Sequence, residues 1–119
     1  PRTGKKLKMP GLKAQYVKKS NCLKLTLMLP EGTRGYMLET SRKKSFSYKK
    51  AYPLYEDTGD YMVLWNPAVT KRKQTLYIPI SEFRGNHVYV RLYAMGEADD
   101  SDINILSAPS QIKKVCWKR

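Results

Sequence analysis

The sequence predicts an all-β protein, a single antiparallel β-sandwich of seven to eight strands. Three observations carry that prediction. Apolar and polar residues alternate at period two along several short segments, as on a sheet with one buried face. Turn residues interrupt these segments at intervals of about 8–12 residues, the spacing of a sandwich. No long window repeats with the 3.6-residue period of an amphipathic helix, and β-branched and aromatic residues dominate the ordered segments. At 119 residues the chain is one domain, long enough to bury a core without staples.

The amino end comes first. Residues 1–11, PRTGKKLKMPG, are basic, contain Gly and Pro and lack periodicity. They read as a flexible arm ahead of a sandwich domain over 12–119. Leu12 to Val17 reads as the opening strand. Cys22 to Leu29 is clearer: Leu23, Leu25, Leu27 and Leu29 share one face, and Cys22, Lys24, Thr26 and Met28 share the other. Period two puts that leucine row in a core. Pro30-Glu31-Gly32 then turns the chain into a strand from Gly35 to Thr40.

The middle is less regular. Ser41 to Lys50 is polar and basic, anchored only by Phe46 and Tyr48, and reads as an edge strand or a loop. Lysines on an edge would discourage edge-to-edge pairing. Asp60 to Trp65 is apolar on both sides and predicts a central strand. Past the basic tip Lys71-Arg72-Lys73, Gln74 to Ile80 returns with Leu76, Ile78 and Ile80 aligned.

The best alternation runs from His87 to Met95. It places Val88, Val90, Leu92 and Ala94 inward and Tyr89, Arg91, Tyr93 and Met95 outward. An acidic loop, Glu97 to Asp102, precedes a short strand from Ile103 to Leu106 and a last strand from Gln111 to about Trp117.

Several of these segments resemble a fibronectin type III or immunoglobulin-like domain. Gly35-Tyr36-Met37-Leu38-Glu39 is similar to the third strand of that family, and Val88-Tyr89-Val90-Arg91-Leu92-Tyr93-Ala94 to its sixth. Thr75 to Ile80 fits between them, and Ser107-Ala108-Pro109-Ser110 resembles the lead-in to its last strand. The core tryptophan of the family's second strand is absent here, Met28 or Leu29 standing in its place, and Trp65 falls in another segment. The half from Asp60 to Ser110, with Leu64-Trp65-Asn66-Pro67, Ile78-Pro79 and Phe83-Arg84-Gly85, also resembles the C-terminal sandwich of an uncharacterised Bacteroides-type family. Such sandwiches are general scaffolds, so the resemblance implies recognition or assembly and names no ligand.

Charge says more about partners. Lys and Arg number 23 against 10 Asp and Glu, a net +13. Residues 1–55 hold 14 basic and 2 acidic residues, whereas 56–119 hold 9 and 8. An asymmetry of this kind points to a surface meant for an anionic partner. The candidate contacts are Lys5, Lys6, Lys8, Lys18, Lys19, Arg42, Lys43, Lys44, Lys49, Lys50, Lys71, Arg72 and Lys73. Lysine outnumbers arginine, which suits diffuse attraction to phosphates better than bidentate reading of bases. Any nucleic acid would therefore be bound without sequence specificity. Tyr77, Tyr89 and Tyr93 with Arg91 are expected on the outward faces of two neighbouring strands, as a protein interface, a stacking platform or plain cross-strand packing.

Catalysis finds little support. His87 is the sole histidine, and no Gly-x-Ser-x-Gly elbow, phosphate-cradling glycine loop or Cys/His metal spacing exists. Glu39, Glu56, Asp57, Asp60 and Glu82 form no evident carboxylate pair, and the acidic loop lacks the EF-hand glycine. The sequence therefore calls for no enzyme, metal, cofactor or small-molecule substrate. Cys22 and Cys116 could pair if the first and last strands are neighbours; in a reducing compartment two buried thiols are expected. Pro1 is what remains when an initiator Met is trimmed, which predicts synthesis in the cytoplasm without a signal peptide. No apolar run is long enough to span a membrane.

The function expected from these features is that of a non-catalytic structural or adaptor module. It would sit among the protein subunits of a larger assembly, such as a phage or virus particle, with its basic half on an anionic component. A stand-alone nucleic-acid binder and a secreted surface- or carbohydrate-binding module are the alternatives.

Overall fold

In the computed structural model, residues 7–44, 46, 61–96 and 107–118 are described. They form seven strands: β1 (Gly11–Val17), β2 (Cys22–Met28), β3 (Gly35–Ser41), β4 (Tyr61–Asn66), β5 (Lys73–Pro79), β6 (His87–Met95) and β7 (Lys113–Cys116). The 3-10 turn Ile80–Glu82 follows β5. The strands make two antiparallel sheets, one of order β1-β2-β5 and one of order β4-β3-β6-β7. The expected acidic loop and the short strand at 103–106 lie outside the described residues.

The core forms where the two apolar rows meet. Leu23, Leu25 and Leu27 of β2 are fully buried, as are Leu38 of β3 and Val90, Leu92 and Ala94 of β6. Each of these leucines and valines contributes about 1.5–3 kcal/mol of transfer free energy, so the rows on β2 and β6 bring the sheets face to face. Phe83 and Trp117 close one end, their ring centroids 5.9 Å apart. Residues ahead of β1 already belong to this packing, since Leu7 lies against the core and Pro10 is buried.

The lead-in to β7 shows how side chains can satisfy a strand's backbone. Ser107 and Ser110 donate their backbone N–H groups to the carbonyls of Ala94 and Leu92. Their hydroxyls accept the N–H groups of the same two residues, each at 2.9 Å. Pro109 between them has no N–H to donate. Two serines thus satisfy the β6 backbone beyond the reach of β7, which pairs only with His87 to Val90.

Two expectations need correction. The apolar segment expected as a central strand is the edge of its sheet: β4 pairs with β3 and stands last in the order. Its inward residues Met62 and Leu64 are half-buried, while Val63 and Trp65 are exposed, so an apolar run on both faces did not mean burial on both. Met95, expected outward, is buried. It lies opposite Gly35, which has no side chain to compete, and its carbonyl accepts the Arg34 N–H at 2.7 Å.

Candidate functional site

The two outer faces of the sandwich differ in chemistry. On the three-stranded sheet, the register sets Gly11, Met28 and Lys73 side by side, then Lys13, Thr26 and Thr75, then Gln15, Lys24 and Tyr77. The alternation that buries Leu12, Leu23, Leu25, Leu27 and Ile78 turns all of these outward. No carboxylate stands at any outward position of β1, β2 or β5. Exposed Lys18 and Lys19 occupy the turn at one end, and exposed Lys71 approaches the other. Tyr77 is 57% exposed and Met28 is 48% exposed, so this cationic face also carries two large apolar groups.

The candidate cations are therefore sorted by the fold. Lys73, Lys18, Lys19 and Lys71 gather on or beside this sheet, and Lys8 is exposed on the approach to β1. Arg72 is tied down, its Nε donating to the Leu29 carbonyl at 3.1 Å. Lys43 and Lys44 are exposed at the far end of β3, in the other sheet, and Arg42 there is half-buried with its guanidinium against Gly85. Lys5, Lys6, Lys49 and Lys50 lie outside the described residues. Lys13 and Lys24 belong to the cationic face and were not among the candidates. Their signal was present, since both alternate with buried leucines, but each is isolated in sequence rather than part of a basic run.

The tyrosines do not form one surface. Tyr77 sits on β5, in the three-stranded sheet, whereas Tyr89, Arg91 and Tyr93 sit on β6 in the four-stranded one. Alternation told which side of a strand each occupies, not which sheet the strand joins.

On the four-stranded face one cation, Arg91, is neutralised by a carboxylate. Arg91 lies directly across from Glu39, and its Nε donates to Glu39 Oε1 at 2.5 Å. Phe46 packs against Arg91, with the guanidinium carbon 4.3 Å from its ring centroid, and Glu39 is only 5% exposed. Beside them Trp65, Met37 and Tyr93 share one row across three strands, with Trp65 62% exposed and Val63 in the next row also exposed. Tyr89 faces Lys114 of β7, whose ammonium lies 5.6 Å from the ring centroid.

Burial, and then the Glu39 carboxylate, raise the Tyr93 phenol above its ordinary value, and Arg91 pulls it the other way. Folding thus favours the neutral phenol. Its stabilisation is whole below pH about 10 and is lost as pH rises through the higher folded value. Urea melts across the alkaline range should show stability falling more steeply for the native chain than for Tyr93→Phe; equal slopes would dismiss this residue as a cause.

His87 has a structural post. Its Nε2 faces the Arg42 carbonyl oxygen at 3.0 Å, its Nδ1 lies 3.3 Å from Asn86 Oδ1, and its ring stands edge-on to Tyr89. These contacts join the end of β3 to the start of β6. Among the described residues, no three His, Cys, Asp or Glu side chains group as metal ligands would. Cys22 and Cys116 are both free thiols; Cys22 is half-buried, and Cys116 is exposed rather than buried as expected, because it takes an outward position on edge strand β7. No helix among the described residues is long and apolar enough to cross a membrane.

No protein-family profile matches the chain, and no curated protein matches it. Among solved structures it is similar to an Fn3-like protein from Clostridium thermocellum, with a TM-score of 0.57 over 95% of each chain at 17% identity. Opposed sheets of three and four antiparallel strands, together with that likeness, give this chain a fibronectin type III-like fold.

Proposed function

We propose that this protein is a non-catalytic adaptor within a larger assembly. Its three-stranded face grips an anionic component, and its four-stranded face holds a protein subunit. The observation that carries this reading is the contrast between the two outer faces. One presents Lys13, Lys24 and Lys73 with no opposing carboxylate. The other covers its Glu39–Arg91 pair and exposes Trp65, Val63 and a half-buried Tyr93. Charge attraction suits the first to a polyanion, and a tryptophan beside a tyrosine suits the second to a protein hot spot. A particle that contains nucleic acid, such as a virion, offers both surfaces at once.

Support for a binding role rather than catalysis is that His87 is held between a backbone carbonyl and a neighbouring side chain. Affinity isolation from the native source at moderate salt, with and without nuclease, tests the proposal. A protein partner in defined stoichiometry should survive nuclease and be lost from Trp65→Lys, whose exposed site tolerates the change. Loss of every partner on nuclease treatment would instead leave a stand-alone nucleic-acid binder.

A further inference from the structure

The three-stranded face carries more than charge, and its layout narrows the partner. Resting on the reading just given, we infer that this face takes single-stranded nucleic acid, with Lys13, Lys24 and Lys73 on the phosphates and Tyr77 stacked on a base.

Lys24 lies directly opposite Tyr77 on the neighbouring strand, Lys73 opposite Met28, and Lys13 opposite Thr26. With strands about 4.8 Å apart and a rise of about 3.3 Å per residue, the three lysine Cα atoms form a triangle with sides of roughly 8–14 Å. Between them lie only neutral groups, Gln15, Thr26, Thr75 and the two exposed apolar side chains. A partner that fits must offer spaced negative charge and flat apolar surface together. Single-stranded nucleic acid does so, since its bases are unstacked and every base has a π-face. A duplex hides its base faces and offers this sheet only backbone. The face carries no arginine, so the bidentate fork that reads base edges is missing and binding is indifferent to sequence. Tyr77 needs no rearrangement to reach a base, because its ring is already exposed.

The test is fluorescence anisotropy of a labelled oligothymidylate of about 12 nucleotides across a salt series, with the full chain. The triple variant Lys13→Ala/Lys24→Ala/Lys73→Ala should flatten the plot of log affinity against log salt by about 2, since each phosphate contact on a single strand contributes about 0.7. Tyr77→Ala should weaken binding about tenfold with the slope unchanged, and Tyr77→Phe should bind as the native chain does, because the stacking ring is kept. Lys114→Ala, on the opposite face, serves as the charge control and should leave the slope alone. A duplex of the same length should bind more weakly.

A parallel titration with heparin separates two kinds of failure. Heparin binding that needs the three lysines, alongside oligonucleotide binding indifferent to Tyr77 or a preference for duplex, overturns the single-strand inference and keeps the anionic-face reading. A triple variant that alters neither titration overturns both.

Discussion

Arg91→Ala should be among the most damaging single substitutions in the molecule, lowering stability by about 3 kcal/mol, the lower end of the cost of orphaning a buried charge. Glu39 is 5% exposed on what would otherwise be an outer sheet face, paired with a guanidinium that itself lies over the Phe46 ring. Without Arg91 the carboxylate stays buried and loses the cation paired with it. Phe46 also loses the cation over its ring. The lower end of the range applies because the Arg91 side chain is 21% exposed, so water recovers part of the loss. Urea unfolding should show the midpoint falling with the slope unchanged. The double variant Glu39→Leu/Arg91→Met should recover to within about 1 kcal/mol of the native chain, because an apolar pair of similar volume leaves no charge behind. Losses that simply add in the double variant would mean that the two residues are not coupled.

Gly35→Ala should be comparably severe, for a steric reason. A Cβ at this position would run into the Asn66 carbonyl oxygen and lie 2.9 Å from the Pro67 carbonyl carbon. Both obstacles are backbone, and that backbone is itself anchored. Asn66 Oδ1 accepts the Ala68 N–H at 3.1 Å, and Val69 donates its N–H to the Arg34 carbonyl at 2.8 Å. The chain leaving β4 is thus fastened to the start of β3 and cannot step aside for a methyl group. Overpacking of this kind costs about 3 kcal/mol, and the melting temperature should fall by about 10 °C or more. A melting temperature within a few degrees of the native value would show that the connection after β4 yields. The glycine opening the Gly-Tyr-x-x-Glu segment therefore has a physical reason: the Asn66-Pro67 backbone leaving β4 passes too closely for any side chain.

What could be read from the sequence was set by period two. The rows Leu23-Leu25-Leu27 and Val88-Val90-Leu92-Ala94 each bury one face, so alternation alone located β2 and β6 and their core residues. Edges escaped this logic. Met62 to Trp65 is apolar throughout, yet Val63 and Trp65 face outward from an edge strand. Sheet membership escaped too, because Tyr77 and Tyr93 look alike in pattern while the chain crosses between sheets after β5. The cationic face was only half legible. Lys73 belongs to a basic run, but Lys13 and Lys24 join it through strand register, from positions far apart in the chain. The pairing of Glu39 with Arg91 likewise depends on β3 lying beside β6.

The claim that matters most is that the exposed face of β1, β2 and β5 is the anion-binding surface. Lysine acetylation footprinting, read by mass spectrometry with and without saturating heparin, tests it most directly. Lys13, Lys24 and Lys73 should be protected together, with Lys18, Lys19 and Lys71 following more weakly and Lys114 on the opposite sheet unchanged. Protection of Lys114 equal to that of the three face lysines, or no protection of those three, would contradict it.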